Sequence, residues 1–337
     1  MKVTDRRGVA DASLGLTLLG LGTSSLAGLY EAVDARTAAA TLDEAWRCGL
    51  RYFDTAPFYG YTLGEQRLGA WLANAPRDEA IVSTKVGRLM QPDPTVQPGD
   101  GGWAEPLAFR PVFDYSRDAI LRSFDDSRQR LGPDRIGLLL LHDIGPMTHG
   151  DGHAAHWESL TRGGGFRALE ELRAAGVIRA FGLGVNELAV VHDAMHEVHL
   201  DCTLLAGRYT LLEQGGLALL DDCAHNGTAV IVGGPFNSGL LAGQRKFDYQ
   251  DASPALLQRA DALRNACAAH DVALEAAALQ FPLGHPAVAC VLAGMRSPSQ
   301  VRANVDWFER PLPGALWDDL RRQGLVDPAA PCPEAAA

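Results

Sequence analysis

Asp54 and Tyr59 lie five residues apart in the stretch RYFDTAPFYG; Lys85 closes the run AIVSTK and His142 closes RIGLLLLH. Asp54, Lys85 and His142 each follow directly on a short apolar run, and Tyr59 lies in the turn after the first of them. A buried carboxylate or ammonium is costly without a partner, so charges set alike at the ends of such runs are expected to meet one another. A free tyrosine titrates near ~10, and a lysine ammonium beside it favours the phenolate. That combination suits proton exchange with a substrate oxygen near neutral pH. A histidine at the same rim is suited to hydrogen-bond that oxygen and orient it.

Such residues must be brought together by the elements that carry them. Eight β-rich apolar runs alternate with helical stretches. They are Leu14–Gly22, Arg51–Asp54, Ala80–Lys85, Arg135–His142, Ile178–Val185, Asp201–Gly207, Thr228–Gly234 and Ala287–Gly294. Several are apolar on consecutive residues, as strands covered on both faces are. Helices are expected at Thr37–Cys48, after a Ser116 N-cap, at Phe166–Ala175 and at Leu217–His225, each followed by a glycine stop signal. Eight β/α repeats predict a single α/β domain folded as a (β/α)₈ barrel, a TIM barrel, over residues 1–337. A doubly wound open sheet is the alternative. Residues 1–13 are expected to form an N-terminal segment and 327–337 a loose tail. Long loops, from Gly87 to Tyr115 and after His142, follow the third and fourth strands, on the side where barrels carry their active sites.

Composition narrows the function classes. The chain has 337 residues, 47% hydrophobic and 21% charged, with a formal net charge of −11. An acidic chain with no long basic run is a poor partner for nucleic acid or an anionic membrane. No apolar run is long enough to span a bilayer, and MKVTDRRGVADASLG lacks the continuous hydrophobic stretch of a signal peptide. The six cysteines are scattered without a C-x-x-C pair, so reduced thiols and a cytoplasmic location are expected.

The motifs FDTAPFYG, STK and LLLLH together resemble the aldo-keto reductase superfamily. So do GEQRLG, RLGPDRIGLLLLH, LRAAGVIRAFGLG, GPFNSGLLAG and RSPSQVRANV, so the resemblance covers nearly the whole chain. It implies hydride transfer between a nicotinamide cofactor and a carbonyl or alcohol, with Asp54, Tyr59, Lys85 and His142 as the catalytic tetrad. FRPVFDYSRDAILRSFDDS, GLGVNE and LLAGRYTLLEQ are similar to the branch holding D-threo-aldose (L-fucose or galactose) 1-dehydrogenases and pyridoxal 4-dehydrogenase. The implied reaction is oxidation of an aldose hemiacetal to a lactone, with pyridoxal, or general aldehyde and ketone reduction, as alternatives. A cofactor-sensing regulatory subunit and a metal-dependent barrel hydrolase are the competing classes.

GLGTSS lacks the third glycine and the compact βαβ unit of a Rossmann fingerprint. The resemblance instead places the cofactor, NAD with NADP as the alternative, along Gly22, Thr23 and Asp54, then the seventh-strand loop Gly234, Pro235, Phe236, Asn237, Ser238, Gly239 and Leu240. It continues through the eighth-strand residues Gly294, Met295, Arg296, Ser297, Gln300 and Asn304. Relatives hold the carboxamide with Ser-Asn, a Gln and a stacked aromatic; here Gly184 and Val185, Ala206 and Gly233 stand in those places. Asn186, Tyr209 and Phe236 are the expected substitutes. NADP-favouring relatives carry a lysine and an arginine where Gly294 and Gln300 stand, so NAD is the expected cofactor and Arg296 the one basic residue nearby. His192, His196 and His199 fall at helical spacing, and His149, His153 and His156 lie in the fourth-strand loop; no metal site is expected at either. The expected partner is a small sugar or pyridoxal.

Overall fold

The computed structural model describes residues 1–10, 14–74, 78–248 and 250–334. Eight parallel strands close into a barrel: β1 Leu19–Gly22, β2 Tyr52–Asp54, β3 Ile81–Val86, β4 Ile136–His142, β5 Ala180–Val185, β6 Cys202–Ala206, β7 Ala229–Gly233 and β8 Val288–Gly294. Each pairs with the next in sequence, and β8 returns to β1 through Val291 opposite Leu19. Closure removes the sheet edges and excludes the open doubly wound alternative.

Consecutive apolar residues serve two cores. In β4, Leu138 and Leu140 pack inside the barrel with Tyr52, Ile81, Leu204 and Ile231. Leu139 and Leu141 face outward and join the layer between barrel and helices. Period-two alternation thus hides behind a uniformly apolar run. The same alternation sends Tyr52 and Asp54 of β2, and Ser83 and Lys85 of β3, to the inward face.

The first predicted strand is two. Leu14–Thr17 pairs antiparallel with Arg6–Val9, and the chain turns at Leu18 before β1. Val9, Leu14 and Leu16 belong to the barrel-interior cluster, so this hairpin floors the barrel. The expected N-terminal segment therefore contributes a strand to the floor, while its residues 11–13 lie outside the described residues. Helix starts follow their caps: Asp34 accepts from the Thr37 amide at 2.8 Å and opens Ala35–Arg47, two residues earlier than the apolar pattern suggested. Ser116 caps Arg117–Leu131 as expected. Gly227 ends Leu217–Asn226 at φ 71°.

Both long loops carry structure. After β3, Arg88–Pro92 pairs antiparallel with Phe109–Phe113. After β4, short helices run Pro146–His149 and His153–Thr161. Of the expected tail, Ala330 is buried and its carbonyl accepts from the Arg321 guanidinium at 3.0 Å, so the chain packs there; residues 335–337 lie outside the described residues. Among the described residues no helix is long and apolar enough to cross a membrane.

Candidate active site

The strand ends meet as their charges required. Lys85 Nζ donates to Asp54 Oδ2 at 2.7 Å, to Oδ1 at 3.0 Å, to the Thr55 carbonyl at 2.9 Å and contacts the Tyr59 hydroxyl at 3.0 Å. Lys85 is 2% exposed and Asp54 1%, so the ion pair is sealed from water. Gly184 on β5 makes room for the lysine stem: a Cβ there would lie 3.2 Å from Lys85 Cε. The glycine standing where relatives carry serine thus has a packing reason.

Tyr59 is presented by a sharp turn. Gly60, Tyr61 and Thr62 all have positive φ, and the Gly64 amide returns to the Tyr59 carbonyl at 3.0 Å. The helix that follows, Leu63–Ala73, is tied back to β3. Its buried Glu65 accepts from Thr84 at 2.5 Å and pairs with Arg130 at 2.5 Å. Thr84 adjoins Lys85, so phenol and ammonium are registered through one strand.

His142 is buried, and burial drives its pKa well below the ordinary 6.5, helped by the nearby charges of Arg88 and Lys85. It is therefore a neutral imidazole at neutral pH, carrying a single N–H. Its Nε2 lies 3.6 Å from Asp143 Oδ2, while its Nδ1 is buried without a hydrogen-bond partner. Asp143 forms an ion pair with Arg88, which stacks over Phe58 at 4.3 Å and Phe113 at 5.1 Å. Tyr115 donates to the His142 carbonyl at 2.8 Å and meets His149 Nε2 at 2.9 Å. Phe58 and Trp103 stand beside the tyrosine and histidine, with Trp103 and Tyr59 rings 5.8 Å apart.

A cleft of about 450 Å³ opens from Asp54 and Tyr59. Of the expected cofactor residues, Gly22, Asp54, Asn186, Gly234, Pro235, Phe236, Asn237, Ser238, Gly239, Gly294, Arg296, Gln300 and Asn304 line it. Five others do not. Tyr209 is buried against Phe281 and His285, Met295 and Leu240 sit in the core, and Ser297 is spent capping the helix Pro298–Glu309. Thr23 is buried behind Gly22, its amide bonded to the Asp54 carbonyl and its hydroxyl without a partner. Thr23, Leu240 and Met295 each stand next to a lining residue and turn inward, whereas Ser297 stays half-buried at its cap.

The cleft fits a nicotinamide dinucleotide. Gly22 and Gly233 line the cleft together with Asp54 and Tyr59 and put no side chain in the way of a planar ring approaching them. Gly234 has φ 62° with open space where a Cβ would stand. Asn237 and Ser238 adopt left-handed backbone in the loop that lines the cleft, and the positive end of the helix Pro298–Glu309, with Gln300 and Asn304 on the lining, favours an anion there. Arg296, on the cleft lining, is held by Glu31, and its amide donates to Gln300 Oε1 at 2.8 Å.

Several of these residues went unnoticed in the sequence. Ser83 lies two residues before Lys85, and that shared inward parity was the available signal; Arg88 and Asp143 follow Lys85 and His142 closely but fall beyond the barrel strands, where alternation gives no direction. Nothing local announces Glu31. His192, His196 and His199 are exposed, and among the described residues no group of three or more His, Cys, Asp or Glu could hold a metal ion. His149, His153 and His156 are in or beside helices rather than in an open loop.

The chain belongs to the aldo/keto reductase family, whose sequence model matches residues 18–322. It is an NAD(P)-dependent oxidoreductase. Pyridoxal 4-dehydrogenase from Microbacterium luteolum is 50% identical, covering 97% of this chain and 99% of that protein. D-threo-aldose 1-dehydrogenase from a Pseudomonas species is 38% identical, with 94% and 97% covered. Among solved structures, the holo form of aldo-keto reductase AKR11C1 from Bacillus halodurans superposes with a TM-score of 0.74 at 27% identity, covering 97% and 98%.

Two predictions follow from this geometry. Tyr59→Phe removes only the hydroxyl, so turnover should fall about 100- to 10,000-fold while NADH binding, read by fluorescence, stays intact; turnover near wild type would remove Tyr59 from the chemistry. The second concerns acid stability. His149 is lowered to about 4 by burial first and then by His156, and His142 is lowered too. The unfolded chain protonates these rings near ~6.5, the folded chain only at lower pH. In that window the unfolded state binds more protons, so stability rises with pH. Acidifying from about 6.5 to about 4 should lower Tm, and His149→Gln should flatten the slope. Thermal unfolding of both proteins across that window checks this; equal slopes would contradict it.

Proposed function

We propose that the enzyme oxidises a cyclic hemiacetal to its lactone, with pyridoxal in its hemiacetal form as the preferred substrate and NAD as the preferred cofactor. The observation that carries this reading is the apolar wall beside Tyr59: half-buried Phe58, Phe109, Met90 and Val96, backed by buried Trp103. A flat pyridine ring gains from such a surface, whereas a sugar brings a hydroxyl on most carbons and each needs a partner when desolvated. The 50% identical pyridoxal 4-dehydrogenase supports the same choice. Aldose oxidation is the second reading, supported by the 38% identical aldose dehydrogenase. A cytoplasmic location agrees with six free cysteines, four of them buried.

The residues would divide the work as follows. A nicotinamide held along the cleft by residues such as Gly22, Gly234 and Asn237 would supply the acceptor for the hydride that leaves the hemiacetal carbon. Tyr59 takes the proton of the hemiacetal hydroxyl, and the C–O bond becomes the lactone carbonyl. Lys85, held by Asp54, offsets the negative charge on the phenolate. Neutral His142 presents its N–H to the substrate oxygen and fixes its angle. Phe58 and Trp103 keep water from the reacting carbon.

Pyridoxal, L-fucose, D-arabinose and L-galactose, each with NAD or NADP, followed by nicotinamide absorbance, test the reading. Pyridoxal should exceed the best sugar in kcat/KM by about tenfold or more, the discrimination of one or two well-made contacts. A sugar in first place would transfer the proposal to the aldose reading. The cofactor preference has its own test. Arg296 is engaged by Glu31, and Gln300 is uncharged, so a 2′-phosphate meets a carboxylate rather than a free guanidinium. NAD should lead NADP by about tenfold, and Glu31→Gln should shrink that lead by freeing Arg296. An unchanged ratio in the variant would remove Glu31 from the discrimination.

A further inference from the structure

Beneath the tetrad, a polar chain runs down into the barrel core. Ser83 Oγ donates to Asp54 Oδ1 at 2.6 Å, and the Tyr52 hydroxyl lies 2.8 Å from Ser83 Oγ. Tyr52 and Ser83 are both fully buried. Their order of donation follows from proton counting. An ionised carboxylate paired with Lys85 has no hydrogen to give, so the single hydroxyl hydrogen of Ser83 goes to Asp54. Ser83 Oγ is then an acceptor, and the hydrogen between the two hydroxyls belongs to Tyr52. Burial, with the charge of Asp54, holds the Tyr52 phenol well above its ordinary range, so it keeps that hydrogen.

The barrel is shaped around this chain. On β1 a Cβ at Gly20 would lie 2.6 Å from Tyr52 Cδ1, so the glycine makes space for the ring. Register places Ser83 directly beside Asp54 on the neighbouring strand. Other titratable groups around it are Tyr59 on the turn above, His142 at the end of β4 with Arg88 and Asp143 beyond it, and the thiols of Cys202 on β6 and Cys290 on β8. Both thiols are pushed up by burial and stay neutral.

We propose that Ser83 and Tyr52 are positioning residues for the reaction: a two-link donor chain that fixes the Asp54 carboxylate from below and so sets the charge Lys85 presents to Tyr59. The proposal rests on the reading of Tyr59 as the acid–base group. Asp54 Oδ1 is shared between Lys85 and Ser83, while Oδ2 takes the shorter lysine contact. Without the serine hydroxyl, the carboxylate draws harder on the lysine proton, and the ammonium does less for the phenolate.

The test uses the whole enzyme with three substitutions: Ser83→Ala, Ser83→Thr and Tyr52→Phe. In the oxidative direction, Ser83→Ala should lower kcat about tenfold, the effect of one hydrogen bond to a charged group. The pH of half-maximal kcat should move upward, with NADH binding unchanged. Threonine at 83 keeps a hydroxyl and should restore both rate and pH profile. Tyr52→Phe should shift the profile in the same direction by less, and it decides the matter if Ser83→Ala does not fold. A folded Ser83→Ala enzyme that loses thermal stability but keeps wild-type kcat and pH profile overturns the proposal. A second readout is independent of turnover. Ultraviolet titration of tyrosinate, taken as the difference between each protein and its Tyr59→Phe counterpart, should show the Tyr59 transition moving to higher pH when the Ser83 hydroxyl is lost. No movement overturns the proposal. Absence of dehydrogenase activity in the wild type, with that movement present, would fault the functional reading alone.

Discussion

The ion pair between Asp54 and Lys85 governs the upper half of the barrel. Two opposite charges taken out of water must meet at close range and satisfy their remaining valences, or the fold loses several kcal/mol. The protein meets this by supplying four oxygen contacts to the ammonium and a serine to the carboxylate. Small residues follow from it: Gly184 clears the lysine stem, and Gly20 clears the tyrosine ring below. Burial of the pair also places a positive charge beside His142, one of the causes that keep that ring neutral.

A second layer holds the elements that carry Tyr59 and Lys85. Glu65 is buried yet fully engaged by Thr84 and Arg130, and it couples the helix after Tyr59 to the strand that carries Lys85. Arg67 donates to the carbonyls of Leu26 and Val33, fastening the same helix to the loop after β1. The loop that brings Glu31 to Arg296 starts from that anchorage. Chemistry and cofactor cleft thus share one rigid corner of the barrel.

The fold was readable because strand ends, glycine stops and the β/α alternation are local signals. The meeting of Asp54 and Lys85 was readable for a different reason: charges at like strand ends had to find partners, while Tyr59, on a turn, was singled out by its spacing and by the family resemblance. Cofactor contacts were legible only as stretches. Gly234–Gly239 was found as a loop, but which of its members face the cleft depends on backbone direction, and Leu240 turned inward. Tyr209 misled because a tyrosine near a strand end looks polar, whereas its ring completes the packing against Phe281. Arg88 and Asp143 escaped notice because their pairing joins two different loops. The break at Leu18 was invisible in composition, since both flanking strands are leucine-rich.

The hairpin flooring the barrel ties together the two ends of the chain. Arg7 donates to the carbonyls of Leu283, His285 and Val288, and Leu14 and Leu16 share a cluster with Ala289, Cys290 and Leu292. Lys2 reaches Glu309 at 3.0 Å. Lys2 and Arg7 therefore wait for residues nearly a whole barrel later in sequence before these contacts exist. Closing so long a loop is entropically slow, and the floor's apolar face stays uncovered until it happens. The cleft end and the floor both depend on β8, which supplies Leu292 and Gly294 to the cleft and is the strand against which the floor is set. A nascent chain stopped short of Val288 would hold the four tetrad residues and still lack a barrel to hold them in.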